Sequence, residues 1–209
     1  MEKKQMKIVV LFAHPNENSY GAALKKAFIQ GAQKANHEIK QQALYQEAFN
    51  PVMSKKELLG KKRPSADPQV RQYQEELLWG DIVVIIHPAW WYGAPAILKG
   101  YLDRVLEKGK LYEYKKEKAV GKIENTRGVL IQTFDCKEED EKEKFNYVTA
   151  RGIIAGFKYC GIKKWLYKPY FRIMNTTKKQ REKWLKEIET VGEEIEEKIK
   201  KPNWKKYKK

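Results

Sequence analysis

The 209-residue chain has only two cysteines, Cys136 and Cys160, and three histidines, His14, His37 and His87. Neither cysteine stands in a CxxC or Cys/His pattern, and with no secretory signal a disulfide framework is not expected. The histidines are too widely spaced for a histidine-rich metal centre. Long hydrophobic runs are also missing. IVVLFA and IVVII fall far short of the roughly 20 apolar residues that a membrane-crossing helix needs. The start, MEKKQMKIVVLFAHP, is only superficially like a signal peptide: its apolar part is brief, and His14-Pro15 replaces a small-residue cleavage site. It reads as a first strand in a cytoplasmic protein. Neither GxGxxG nor GxxxxGK[ST] occurs, so neither a GxGxxG dinucleotide fold nor a P-loop nucleotide hydrolase is supported.

What the chain has in excess is positive charge, a formal +16 at neutral pH. Much of it is lysine alternating with glutamate, as in KKEKAVGK and KEEDEKEK, which is the pattern of a solvated surface. The end, KKPNWKKYKK, is denser, with Trp204 and Tyr207 between lysines. Such a segment suits peripheral contact with an anionic membrane surface. No nucleic-acid motif accompanies it, so nucleic acid is not the expected partner. Hydrophobic residues make up 42% of the chain, as in an ordinary globular domain. With no repeat and no dividing linker, residues 1–200 read as one domain and 201–209 as a basic tail.

Along the chain, KIVVLFA (7–13) reads as a fully buried strand. A turn-rich loop follows, then Tyr20, Leu24, Ala27, Phe28, Gly31 and Ala35 at helical spacing. HEIKQQALY (37–45) suits a second strand, and a long charged connection leads to a helix in DPQVRQYQEELLWG. DIVVII is the third strand, APAILKGYLDRVL a helix, and KGKLYEYKKEKAVGKIENT a basic excursion. RGVLIQT is a fourth strand, KFNYVTARGIIAGFKYCG a helix ending at Gly161, and IKKWLYKPYFRI a fifth strand. The last helix runs from a Thr177/Gln180 capping box, with Trp184, Ile188, Val191, Ile195 and Ile199 as its core stripe. Strands alternating with helices predict an α/β fold: a doubly wound, five-stranded parallel sheet of flavodoxin-like order 2-1-3-4-5.

In such a sheet, ligands bind outside the carboxyl ends of the strands near the switch point. That rule selects HPNENSYG (14–21), HPAWWYG (87–93) and QTFDC (132–136). The first loop opens a helix, whose free N–H groups and dipole favour an anion such as phosphate. Asn18 and Ser19 add donors and Gly21 permits close approach, although either of the first two equally suits a helix cap. The second loop carries Trp90, Trp91 and Tyr92. These can wall a flat aromatic ligand, serve a subunit interface, or fill a gap between strand and helix.

PAWWYGAPAILKGYLDRVL resembles the quinone reductase family of flavodoxin-like NAD(P)H dehydrogenases, whose pattern is Pro, two residues, Trp, aromatic, Gly, then PAxLKGxxDRV. LFAHPNENSYGAALKKAF, LYQEAFNPVMSKKEL and FKYCGI resemble further segments of that family, so the similarity spans roughly 7–195. It implies a cytoplasmic flavoprotein, usually a homodimer, that passes hydride from NAD(P)H to flavin and then to a quinone or similar small acceptor. FAD is the nearer precedent and FMN the alternative. By resemblance, His14, Asn18, Ser19, Tyr20 and Gly21 hold the phosphate end of the flavin. Pro88, Ala89, Trp90, Trp91, Tyr92 and Gly93 line its ring, with Trp91 and Tyr92 facing the substrate pocket. No catalytic residue is assigned, because the flavin carries the electron chemistry.

The sequence departs from the family at the third loop. Where the family usually has Thr-Thr-Gly-Gly, this chain reads Gln132-Thr133-Phe134-Asp135-Cys136, which loses glycine's conformational freedom; Asp135 either brings a carboxylate near the flavin's pyrimidine edge or turns outward to solvent. The tyrosine and histidine that some members use as a proton relay have no counterparts. These departures and the basic tail define the alternative function: a regulatory or ancillary protein with a degenerate site that binds a transport or membrane partner.

Overall fold

The computed structural model describes residues 4–59 and 67–204. Strand β1 (Lys7–Phe12) leads to α1 (Tyr20–Lys34), β2 (Glu38–Ala43), the short α2 (Lys55–Leu59) and α3 (Pro68–Trp79). Strand β3 (Ile82–Pro88), α4 (Ala96–Val105), a hairpin of β4 (Tyr112–Lys115) and β5 (Lys118–Gly121), and β6 (Arg127–Thr133) follow. Helices α5 (Glu138–Phe145) and α6 (Val148–Tyr159), strand β7 (Trp165–Tyr170), α7 (Lys178–Glu193) and α8 (Ile195–Lys198) complete the chain. The main sheet has five parallel strands in the order β2-β1-β3-β6-β7. This is the expected 2-1-3-4-5 order, with the hairpin strands standing apart.

The apolar runs become central strands because both of their faces are covered. On one face Val9, Leu11, Val83, Ile85, Leu130 and Tyr167 join residues of α3, α4 and α6. On the other, Ile8, Val10, Val84, Ile86, Val129 and Ile131 meet α1 and α7. Helices α1 and α7 touch backbone to backbone. A Cβ at Gly31 would lie 1.9 Å from the Glu189 carbonyl oxygen, and one at Gly192 would lie 2.2 Å from that of Phe28. Within the expected stripe of the last helix, Ile188, Val191 and Ile195 are buried, and Trp184 and Ile199 pack at the edge.

Five expectations are refined or corrected. The basic excursion contains an antiparallel hairpin, with Tyr112 opposite Gly121. The helix expected from Lys144 starts at Val148, because Asn146 and Tyr147 are both left-handed (φ 47° and 52°). The acid-rich segment before that break is itself a helix. Glu138, Glu139, Asp140 and Glu141 fill its first turn and Lys142 and Lys144 lie in its last, which suits the helix dipole, and Lys144 pairs with Asp140 at 2.7 Å. The last helix breaks at Glu194. Finally, Trp204 is buried against Tyr167 (ring centroids 5.4 Å apart) and not displayed on a tail. Tyr207 and the rest of 205–209 lie outside the described residues.

The long connection is fastened to α4 by Arg104. Its guanidinium donates to Glu57 (2.6 and 2.9 Å), Asp67 (2.7 Å) and the Asn50 carbonyl (2.6 Å), and it lies over the Phe49 ring. Burial alone would raise the Glu57 and Asp67 carboxyls. Hydrogen bonds from Ser54 to Glu57, from Gln69 to Asp67, and from Arg104 to both outweigh it and hold them below the usual range.

Candidate functional site

The loops leaving the carboxyl ends of β1, β3 and β6 surround a cavity of about 280 Å³. The loop between β1 and α1 contributes His14, Asn16, Ser19, Tyr20 and Gly21. His14 Nδ1 lies 2.9 Å from the Asn16 nitrogen and 3.1 Å from its carbonyl oxygen, so the ring is held against the backbone of its own loop. Partial burial holds the His14 pKa below its ordinary value. Asn16 Oδ1 also accepts from the Asn18 N–H (2.8 Å); Asn18 itself stands outside the lining. Ser19 caps α1, its Oγ accepting from the Ala22 N–H. The first N–H groups of a helix have no partner within it, and those of Tyr20 and Gly21 stand at this wall. Tyr20 anchors the loop to the far end of the chain, donating its hydroxyl hydrogen to the Arg181 carbonyl at 2.9 Å. A Cβ on Gly21 would meet no protein atom closer than 3.8 Å, so internal packing does not demand glycine there.

The second wall is Pro88, Ala89 and Trp90. The Trp90 ring meets the edge of His14 at 5.9 Å. Trp90 and Gly93 exchange backbone hydrogen bonds (3.0 and 2.9 Å) around Trp91 (φ 50°) and Tyr92 (φ 55°). This is a two-residue hairpin turn of the kind that favours Asn-Gly, built instead from two aromatics in left-handed conformation. Trp91 is 97% exposed, and Tyr92 stacks on Phe145 of α5 with ring centroids 3.6 Å apart. Trp91, Tyr92 and Gly93 do not line the cavity; they continue the chain from Trp90, which does. Directly beneath, His87 is buried, with Nδ1 2.8 Å from the Pro88 carbonyl and Nε2 3.0 Å from the Gln132 amide nitrogen. Burial pushes its pKa down to about 4, so the ring is neutral.

Thr133, Phe134 and Asp135 form the third wall. The Phe134 N–H is committed to the Tyr170 carbonyl (2.8 Å), and its carbonyl accepts from the Ile173 N–H (3.0 Å). Its ring is buried on Phe171. Asp135 is exposed. Asn16 lies in the expected first loop without having been singled out, and two lining residues fall outside all three expected loops: Ile173 and Met174. The last two follow β7, and applying the carboxyl-end rule to the fifth strand would have found them. Among the described residues, no group of His, Cys, Asp and Glu could hold a metal ion, and no helix is long and apolar enough to cross a membrane.

A family model described as "Flavodoxin-like fold" matches residues 6–195. The chain is 32% identical over 163 residues to an uncharacterized NAD(P)H oxidoreductase of Haemophilus influenzae, covering 75% of this chain and 79% of that protein. It is 27% identical to an FMN-dependent NADH:quinone oxidoreductase of Macrococcus caseolyticus, covering 61% of this chain and 68% of that one. Other curated relatives are spanned over about half their length. The solved NAD(P)H:quinone oxidoreductase of Methanothermobacter marburgensis superimposes with a TM-score of 0.79 at 24% identity, covering 92% of this chain and all of that one. At that identity it establishes the fold alone.

Proposed function

The chain belongs to the flavodoxin-like family, and from that premise we propose that it is a flavin-dependent oxidoreductase, taking electrons from NAD(P)H and delivering them to a quinone or similar small acceptor. One observation carries the reading: a single cavity joins the open N-terminus of α1 to the apolar Pro88–Trp90 wall. A phosphate-bearing flat ring needs these two features at its two ends.

The residues present fit such a group. The Tyr20 and Gly21 amides, with the His14 ring beside them, are the groups that would hold its phosphate. Gly21 leaves room that no protein atom claims. Pro88, Ala89 and Trp90 are the wall for its ring. When bound, the flavin supplies hydride acceptance and donation. The protein binds and orients: His87 and Gln132, bridged across β3 and β6, hold the second and third walls in register. FMN is the cofactor we propose, supported by the FMN-dependent relative and by a cavity at the small end of the ligand-site range. FAD is the alternative. The exposed Trp91 turn supports a homodimer in which a second copy completes the rim.

The test is the visible spectrum of purified protein titrated with FMN and FAD, followed by NAD(P)H oxidation with a quinone. Flavin absorbance retained through gel filtration, with bleaching by NAD(P)H, supports the reading. A folded, colourless protein that binds neither flavin sinks it. That outcome would favour an ancillary protein with a degenerate site, a reading supported by the third wall, whose Phe134 amide is already spent.

A further inference from the structure

Glu141, in the middle of α5, is 1% exposed, and neither of its carboxyl oxygens meets a hydrogen-bond donor. The other buried glutamates are served: Glu76 receives Gln42 and Gln72, and Glu107 receives Gln74. A buried carboxylate without partners is strongly disfavoured, whereas the neutral acid is tolerated. Both ends of α5 bear on the site. Its N-terminus continues the Asp135–Cys136 loop of the third wall. Its last residue, Phe145, stacks on Tyr92. Beyond it, Asn146 and Tyr147 are both left-handed, and both donate their N–H to the Glu141 carbonyl, so the hinge folds back on this residue.

The charged and titratable neighbours leave the carboxyl uncompensated. On α5, Lys144 is engaged by Asp140 (2.7 Å). From the hinge, Tyr147 donates its hydroxyl hydrogen to Glu138 (3.3 Å), and in α6 the buried Thr149 hydroxyl has no hydrogen-bond partner. From the third-wall loop, Cys136 is the group that feels Glu141, its thiol raised first by burial and then by this charge. Burial alone pushes the Glu141 carboxyl up to about 7.

We propose that Glu141 is a proton-linked positioning residue: protonated, it seats α5 so that Phe145 supports Tyr92 at the cavity rim, and on losing its proton it releases α5. The sign follows from linkage. The seated state holds a proton that the released state gives up at an ordinary carboxylate pKa. Seating is therefore full below about pH 4.5, weakens as pH rises toward 7, and levels off above. The consequence for turnover rests on the flavin reading; the seating itself does not.

The experiment is hydrogen exchange of the full chain between pH 5 and 8, corrected for intrinsic rates and read on peptides spanning residues 137–147. Wild-type protection should fall by about tenfold per pH unit between 5 and 7 and then level off. In Glu141→Gln, which keeps the neutral shape, protection should stay high at every pH. A flat wild-type profile, or a glutamine variant that follows the wild-type curve, overturns the proposal. Should that variant fail to fold, carbon NMR of wild-type protein labelled at the glutamate carboxyls decides. One midpoint near 7 supports the proposal, and all midpoints below about 5.5 overturn it. Neither readout needs flavin, so a protein that binds no flavin defeats the functional reading without touching this one.

Discussion

Asn203 pairs with Tyr167 as a neighbouring strand would. Its Oδ1 accepts the Tyr167 N–H at 2.7 Å, and its Nδ2 donates to the Tyr167 carbonyl at 2.9 Å. One side-chain amide thus satisfies both backbone groups of a residue on the open edge of β7, and Trp204 covers the same residue's ring. An unpaired sheet edge invites association with another chain, so the cover has a purpose beyond packing.

Trp204→Ala should therefore cost about 3–5 kcal/mol, the range for a buried aromatic. Asn203→Ala should cost about 1–3 kcal/mol for the two backbone groups it strands. Urea unfolding measures both. A loss under 0.5 kcal/mol in each would mean that this segment does not dock in solution.

Arg104→Met should cost about 3–5 kcal/mol, since it strands two carboxylates against a half-closed surface. Arg104→Lys should recover only part, because an ammonium lacks the planar fork that reaches Glu57 and Asp67 together. Both carboxyls are held low in the folded state. Their contribution is present above the ordinary carboxylate range and is lost as pH falls through the folded values. The gap between wild type and Arg104→Met should thus narrow on acidification, as denaturation at pH 7 and pH 3 would show.

Trp91→Asn should stabilise the fold. The indole is almost fully exposed, so little packing is lost, and asparagine accepts left-handed backbone more readily. A gain of about 0.5–1 kcal/mol is expected from relieved strain, accompanied by weaker acceptor turnover if the indole closes the rim. A thermal melt and a quinone assay on the same preparation separate the two effects.

Asp135→Asn removes a negative charge from the cavity wall without changing its shape. If FMN lies there, its midpoint potential should rise by a few tens of millivolts at low salt and by less at high salt. An unchanged potential would place the carboxylate away from the ring.

The sheet is legible in the sequence because its central strands are buried on both faces and read as unbroken apolar runs. The first and third site loops follow from where those strands end, and each contributes residues to the cavity. Other features are hidden for physical reasons. YEYKKEKAV has no buried face, so its hairpin leaves no alternation to read. The acid-rich segment lacks an apolar stripe, and its one buried residue is a glutamate. Trp204 lies in a lysine-rich stretch of sequence, and only the chain's return to the edge of β7 reveals its place. Trp91 is conspicuous in sequence, yet the turn geometry that exposes it depends on two unfavourable backbone angles that residue type would not suggest.

The glycine contact between α1 and α7 gives the cavity a distant datum. The proposed phosphate donors ride on the first turn of α1, and α1 is registered through Gly31 and Gly192 against α7, far along the chain. With two backbones in direct touch, no flexible side chain lies between them to absorb a misfit. The cavity's dimensions are thus inherited from the C-terminal quarter of the chain. A change in α7 is therefore expected to reach the phosphate end of the site, so binding there would sense the state of a distant helix.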